Sequence, residues 1–301
     1  MEKIRIRIVP ALFVRLGIAC LILIALGFRQ PHLEDHSIIH ASTVPSNTRS
    51  SAGSNSEDVQ TVPLLLHVAT YNIHSCKGLD FKFECNRIAE VLKGTQADII
   101  GLEEVRQGQE EEIARLLGFN VVFGRADHVH GYEFGNAVLS RFPIRDSHIY
   151  LIDVPNRQKR ACLRADVAWP GEGQMLHVFV VHLGLDSAER REQAERLASP
   201  EILLDPSLQG APRILLGDFN EKERNGEVNA RLTPILGRSG ARSWPAFAAI
   251  VYLDRVYFSS DLKLKSVRAY GGGSAFIASD HAPLTAVLER VPATGSQSSA
   301  R

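Results

Sequence analysis

Between Val62 and Arg290 short apolar runs alternate with amphipathic stretches. Leu64–Tyr71, Asp98–Leu102 and Asn120–Phe123 read as strands, whereas Glu84–Lys93 and Gln109–Leu117 repeat apolar residues at the spacing of one helix face. Further on, Ala161–Trp169 and Met175–His182 flank the turn Pro170-Gly171-Glu172-Gly173, and Leu253–Ser259 is followed closely by Leu262–Tyr270. Both pairs have the form of antiparallel hairpins. Ser187–Ala198 is a charged helix, and Gly271-Gly272-Gly273, which precedes no helical pattern, reads as a loop. Strands mixed with helices from the outset predict an α/β domain over 62–290.

The polar residues within this pattern are not scattered. Asn72 and His74 follow the first strand, Glu103 and Glu104 the second; His182 ends another, Asp218 and Asn220 follow Ile214–Leu216, and Asp254 and Asp280-His281 flank the later strands. Each placement taken alone has a structural explanation, such as a turn cap, a helix start or a hydrogen-bonded core histidine. Together they are harder to explain so, because buried carboxylates cost several kcal/mol each unless a metal or another partner compensates. Carboxylates that hold or deprotonate water, amides that donate to a phosphoryl oxygen and an imidazole that stabilises developing charge are the parts needed to break a phosphoester.

The chain carries 34 Lys and Arg against 34 Asp and Glu, and residues 61–290 carry 27 against 29. The domain therefore lacks the positive excess of proteins that grip duplex DNA through its phosphates. The four cysteines, at 20, 76, 85 and 162, include no C-x-x-C pair, which argues against zinc or thioredoxin-type chemistry. Cys76 and Cys85 either pair across their loop or remain two reduced thiols. Neither Cys76 nor Ser279 sits on a nucleophile elbow, so a serine or cysteine hydrolase is disfavoured.

Residues 1–29 differ in kind. Lys3, Arg5, Arg7 and Arg15 precede the uncharged run Leu16–Phe28, the layout of a signal anchor or signal peptide. With no small-x-small site after Phe28, a retained anchor is the expectation, placing the domain outside the cytoplasm at a membrane, or secreted if the segment is cleaved. Cys20 lies in mid-run, unlike a lipoprotein cysteine. Residues 30–61, polar and containing His32, His36 and His40, read as a flexible linker, and 291–301 as a disordered tail.

Seven ordered blocks resemble the motifs of the endonuclease/exonuclease/phosphatase superfamily. They are Thr70-Tyr71-Asn72-Ile73-His74, Leu102-Glu103-Glu104-Val105, Gly135-Asn136-Ala137-Val138-Leu139-Ser140-Arg141-Phe142-Pro143-Ile144, Val181-His182-Leu183, Gly217-Asp218-Phe219-Asn220, Leu253-Asp254-Arg255-Val256 and Ser279-Asp280-His281. The resemblance implies a four-layer α/β sandwich, with two mainly antiparallel β-sheets packed face to face and helices outside. It implies Mg²⁺ or Mn²⁺ as cofactor, with Glu103 as principal ligand, Asn72 beside it and Asp280 as a further ligand. Asp218 would orient or deprotonate water, Asn220 would donate to phosphoryl oxygens, and His281, oriented by Asp254, would bind the scissile phosphate. His182 would assist the leaving group, and Asn136 and His74 would contact phosphate. His74 stands where apurinic endonucleases carry an acidic residue, so the chain is more similar to the small bacterial metal-dependent hydrolases of the superfamily. The expected substrate is a phosphodiester or phosphomonoester, whether lipid headgroup, small molecule or nucleic acid, cleaved by a monomer. An exported nuclease and a non-catalytic phosphate- or metal-binding module are the alternatives.

Overall fold

The computed structural model describes residues 65–169 and 174–291. The expected anchor, linker and His32/His36/His40 set, the turn 170–173 and the tail beyond Val291 fall outside the described residues. In chain order the elements are β1 (Leu65–Asn72), α1 (Cys85–Thr95), β2 (Ile99–Arg106), α2 (Gln109–Leu117), β3 (Asn120–Val129), β4 (Tyr132–Ser140), β5 (Ile144–Leu151) and β6 (Ala161–Ala168). There follow β7 (Met175–His182), α3 (Ser187–Leu197), β8 (Arg213–Asp218), α4 (Glu227–Leu232), β9 (Gly237–Ser239), β10 (Asp254–Phe258), β11 (Leu262–Ala269), α5 (Ala275–Ala278) and β12 (Leu284–Arg290).

Strand β1 illustrates how the layers arise. Leu66 and Val68 pack inward among Val178, Val180 and Leu216, while Ala69 and Tyr71 pack outward against Ile88, Val91 and Leu92 of α1. A strand covered on both faces needs apolar residues at nearly every position, so it reads as a run and not as an alternation. The same holds for β7 and β8, whose outward residues Phe179, Val181 and Leu215 meet Ala194 and Leu197 of α3 and Val228 and Leu232 of α4. Helix α3 starts on Asp186, whose Oδ1 accepts from the amides of Ala188 and Glu189 at 2.9 and 3.2 Å, satisfying two N–H groups that a helix start leaves open.

Two six-stranded sheets result, in the orders β11-β12-β1-β2-β4-β3 and β5-β6-β7-β8-β10-β9. Each contains one parallel pair, β1/β2 in the first and β7/β8 in the second, and is otherwise antiparallel. This is the expected sandwich of two mainly antiparallel sheets with helices outside, although helices are few. The pair 253–259 and 262–270 does not form the expected hairpin. Strand β10 pairs with β8 and β9 in the second sheet, and β11 with β12 in the first. The chain crosses from sheet to sheet over residues 259–261. Residues Asp254–Tyr257 are all buried, as an inner strand requires, while β11 is largely exposed, as an edge strand permits.

The topology delivers every polar strand end to one place. Parallel β1 and β2 finish side by side at Asn72 and Glu103, and antiparallel β12 begins opposite Thr70, so the segment ahead of it, Ser279-Asp280-His281, arrives at the same end. In the second sheet β7 and β8 finish at His182 and Asp218, and antiparallel β10 begins with Asp254 opposite Asp218. Just below this end the sheets approach closely at Gly101, where a β-carbon would lie 2.9 Å from Val180 and 3.3 Å from Leu216. Gly101→Val should therefore force the sheets apart and cost about 1–3 kcal/mol, the usual penalty of overpacking a core. Thermal denaturation should show a lowered midpoint, and an unchanged one would contradict the close approach.

Candidate functional site

Asn72, the last residue of β1, is buried, and its amide faces both sheets. Its Nδ2 donates to Glu104 Oε1 at 3.0 Å and to Asp218 Oδ2 at 3.1 Å, while its Oδ1 accepts from the amide of His74 at 3.1 Å. The neighbouring strand supplies Glu104 through a bulge: the register of β2 on β4 shifts between Leu102 and Val105, and Glu104 has φ 57°. A bulge of this kind re-aims one side chain out of strand alternation.

The expected principal metal ligand, Glu103, is placed differently. It lies wholly buried between the sheets, and its Oε1 accepts from Thr70 Oγ1 at 2.7 Å. Burial drives its pKa well above the ordinary carboxylate range, against the opposing Thr70 bond, so it tends to keep a proton. Glu104 is the carboxylate that joins Asn72, within electrostatic reach of Asp280 and His74. Burial raises its pKa too, with Asn72 opposing and Asp280 reinforcing. His74 Nδ1 stands 3.6 Å from Asp280 Oδ1 and has no hydrogen-bond partner.

Deeper in the site, Asp254 Oδ2 accepts from His281 Nδ1 at 3.0 Å and from the hydroxyl of Ser243. The other ring nitrogen of His281, Nε2, lies 3.6 Å from Asp218 Oδ2. Burial alone would lower the pKa of this imidazole, but Asp254 and Asp218 outweigh it and push it up to about 10. His182 Nε2 lies equally far, 3.6 Å, from the same Asp218 oxygen, yet burial, reinforced by the Arg160 guanidinium, pulls it down to about 3. His182 is thus neutral, and its Nε2 accepts from Asn220 Nδ2 at 3.1 Å.

Asn220 follows β8 in the left-handed region, φ 51°, and its backbone amide donates to Asp218 Oδ1 at 2.9 Å. Its side-chain NH₂ is committed to His182 Nε2 and, at 3.0 Å, to the carbonyl of Leu183. In this arrangement it holds the pair His182–Asp218 and does not present an N–H to a phosphate, as the sequence led us to expect. Asn136 likewise spends its Nδ2 on the carbonyls of Ala161 and Val180, at 3.0 and 3.4 Å, tying β4 to the opposite sheet. Gly217, with φ 153°, lies where a β-carbon would fall 2.0 Å from the Val181 carbonyl, so only glycine allows β8 to run this close to β7 before Asp218.

Two participants escaped the sequence. Ser243 gives Asp254 its second donor. Arg160, directly before β6, is buried, and among the described residues its guanidinium has no hydrogen bond or ion pair, with Nε lacking any partner. Burial lowers its pKa, while Glu104 and Asp218 are the carboxylates whose field most opposes this. Nothing in the local sequence separates Arg160 from its neighbours Arg157 and Lys159; a charged residue immediately ahead of a buried strand is the only sign.

The Glu104, Asp280 and Asn72 oxygens suit a hard divalent cation, which needs only one or two carboxylates and keeps several waters. The two carboxylates that share the buried Asn72 amide, Glu104 and Asp218, are also costly to bring together without a compensating cation. Asp218, Asp254 and His281 bring donor atoms within 4.8 Å of one another and form a second candidate grouping. Asp254 is hydrogen-bonded to His281 and Ser243, and Asp218 to Asn72 and the Asn220 amide while facing His281 Nε2 at 3.6 Å, so a row of mutually engaged charges describes them better than a ligand set. Cys76 and Cys85 form a disulfide that closes the loop beside His74. The segment from Trp244 forms a bridge with Val251, and the amide of Ala246 donates to the Asp280 carbonyl at 2.7 Å.

Residues 69–281 match the model of the Endonuclease/Exonuclease/phosphatase family, and the chain belongs to that family. It is 30% identical over 260 residues to the uncharacterized protein YbhP of Escherichia coli (strain K12), covering 76% of this chain and 98% of that protein. Among solved structures it is similar to the mannosyl-6-phosphatase of Bacteroides thetaiotaomicron, with a TM-score of 0.62 at 20% identity, over 74% of this chain and 99% of the other. It is also similar to the human Nocturnin catalytic domain with bound sulfate, with a TM-score of 0.57 at 19% identity, over 76% and 97%. At such identities the structural likeness establishes the shared fold alone.

The adjacent glutamates can be told apart by metal binding. Glu104→Gln should weaken Mn²⁺ binding at least about tenfold, as loss of one hard carboxylate ligand would. Glu103→Gln should leave it nearly unchanged. Calorimetric titration of Mn²⁺ into both variants decides the matter, and the reverse ranking would return the ligand role to Glu103.

Proposed function

We propose that this chain is a Mg²⁺- or Mn²⁺-dependent phosphoric ester hydrolase in which water attacks phosphorus. The observation that carries this reading is the meeting of opposite charges at one strand-end junction: Asp218, a carboxylate, lies between the imidazolium of His281 and the Glu104–Asn72–Asp280 group. A metal ion held by Glu104 and Asp280, with Asn72 beside them, would supply Lewis-acid polarisation of a phosphoryl oxygen.

The remaining steps belong to the side chains. Asp218, fixed by Asn72 and by the Asn220 amide, orients the attacking water and receives its proton. His281, its Nδ1–H directed at Asp254, holds Nε2 3.6 Å from Asp218 Oδ2, where its positive charge would stabilise the charge growing on phosphoryl oxygens brought beside Asp218. Arg160, a buried cation with no partner of its own, adds a second positive group whose planar fork matches phosphate. His182 is neutral and occupied by Asn220, which suits it to positioning more than to protonating a leaving group, so the departing oxygen takes its proton from solvent water. The name of the similar mannosyl-6-phosphatase supports a phosphoester substrate. The Cys76–Cys85 disulfide, together with the charged-then-apolar residues 1–29, supports a site outside the reducing cytoplasm, at a membrane surface.

On a soluble aryl phosphodiester with Mg²⁺ or Mn²⁺, Asp218→Asn and His281→Ala should each reduce kcat by about 10²–10⁴-fold. Removing the metal with a chelator should abolish turnover and adding Mn²⁺ should restore it; full activity in either variant, or indifference to chelator, would refute the proposal. Arg160→Met should cost about 10²–10³-fold, in line with loss of one preorganised donor to developing charge, with partial recovery in Arg160→Lys. Steady-state kinetics of the three Arg160 forms make the comparison, and equal rates in all would remove that residue from the site.

A further inference from the structure

The mouth of the site is ringed by apolar side chains that the fold leaves in water. Five aromatic side chains are exposed among the described residues, namely Phe81, Phe83, Tyr132, Phe247 and Phe276, and all five lie on segments that leave the site end of the sandwich. Phe81 is 76% exposed, and Ile250, on the same hairpin as Phe247, is 61% exposed. Printed contacts join them in an arc. Arg106 lies over Tyr132 at 5.0 Å and Phe83 at 5.4 Å, and Lys77 lies over Phe81 at 5.2 Å and Phe83 at 6.0 Å. The 77–84 loop is bonded to the helix bearing Phe276 through the Leu79 amide and the Ile277 carbonyl, and the hairpin bearing Phe247 is bonded to Asp280 through Ala246. A monomer seldom gathers its exposed rings at one place without a surface to receive them.

The charges around the arc select the partner. The two acids of the loop, Asp80 and Glu84, share one cation, Arg87 of α1, at 2.8 and 3.8 Å. Lys77 and Lys82 have no acidic partner among the described residues, and with Arg87 the loop and its helix start carry three cations against two acids, a net charge of +1. Single-stranded nucleic acid would use aromatic rings as stacking platforms, and that requires free faces. Here one face of Phe81, Phe83 and Tyr132 is already taken by a cation, and the aliphatic Ile250, which stacking does not use, shares the rim at 61% exposed. Rings at the level of lipid headgroups, beside cations that meet anionic phosphates, are what a bilayer interface favours. We propose that this arc is a membrane-docking surface, which seats the site mouth on an anionic phospholipid bilayer and makes a headgroup phosphoester the substrate class. The substrate clause rests on the phosphoric ester reading above; the docking surface does not.

The disulfide Cys76–Cys85 gives the docking loop its rigidity, closing it at both ends beside the site. Docking and chemistry are then separable, because no ring of the arc contacts Asp218, His281 or Glu104 in any hydrogen bond or ion pair described for them.

The test uses the full chain, with Phe81→Trp as a reporter at the mouth and Leu116→Trp, in the last turn of α2 at the opposite end, as a distal control. Phosphatidylcholine vesicles with brominated acyl chains, with and without phosphatidylglycerol, serve as the probe, and wild-type emission is subtracted. The expected result is loss of emission for Phe81→Trp on the phosphatidylglycerol vesicles, none for Leu116→Trp. Adding Lys77→Gln and Lys82→Gln should raise the vesicle concentration for half-maximal quenching about tenfold or more. Phe81→Ser/Phe83→Ser should keep wild-type turnover on a soluble aryl phosphodiester while KM for a vesicle-borne phosphodiester rises. Equal quenching of both reporters, no quenching of Phe81→Trp, or a response to a single-stranded oligonucleotide in place of vesicles would overturn the proposal. Quenching without any hydrolysis would leave the docking surface standing and remove the reaction.

Discussion

The side-chain amide of Asn72 touches both halves of the site at once, donating to Glu104 in one sheet and to Asp218 in the other. That pair of hydrogen bonds exists only if the tips of β1 and β8 stay in register across the sandwich. The register is enforced from several directions. Ser279 Oγ donates to the Asn72 carbonyl at 2.7 Å, Asn136 reaches across to Ala161 and Val180, and Gly101 lets the sheets close beneath. Groups set on strand ends by a packed core hold their geometry better than groups set on loops.

The two histidines show how placement, not residue type, sets charge. Both point Nε2 at the same Asp218 oxygen from 3.6 Å, and both are almost wholly buried. Burial disfavours the cation in each case. His281 nevertheless holds its proton because Asp254 takes Nδ1–H and Asp218 adds a second negative charge, whereas His182 looks towards Arg160. Environments that push like groups apart in pKa divide labour between them. One imidazole becomes a fixed positive group facing Asp218, and the other a neutral acceptor that keeps Asn220 in place.

Much of this arrangement was legible in the sequence, and the failures have physical reasons. Asp218, Asp254 and His281 could be found because each follows or precedes an apolar run that is unmistakably a strand. Glu103 and Glu104 could not be separated, since strand alternation assigns faces only while the strand is regular, and the bulge at Glu104 breaks it at the decisive residue. The misplaced hairpin at 253–270 has a similar origin. Three residues, 259–261, can turn a chain back on itself or carry it to the opposite sheet, and only the burial of both faces of β10 decides between them. Arg160 was hidden because its meaning lies in the absence of a partner, which a linear sequence does not display.

The division between strand ends and loops bears on how one fold serves different substrates. The acidic, amide and imidazole groups are fixed by sheet registers, so a change in them alters the interior of both sheets. Apart from Arg106 and Tyr132, at the ends of β2 and β4, the rim comes instead from the 77–84 loop, the hairpin from Trp244 to Val251 and the segment ahead of Ser279. Where these segments face water, as at Phe81 and Ile250, they can change length and polarity at little cost to the sandwich. In this chain the rim has been given fixed form: a disulfide closes one loop, a bridge closes the hairpin, and backbone hydrogen bonds fasten both to the segment carrying Asp280 and His281. A rim bound this closely to the strand-end groups constrains what can approach them, so access to the junction is set by the loops while its geometry is set by the strands.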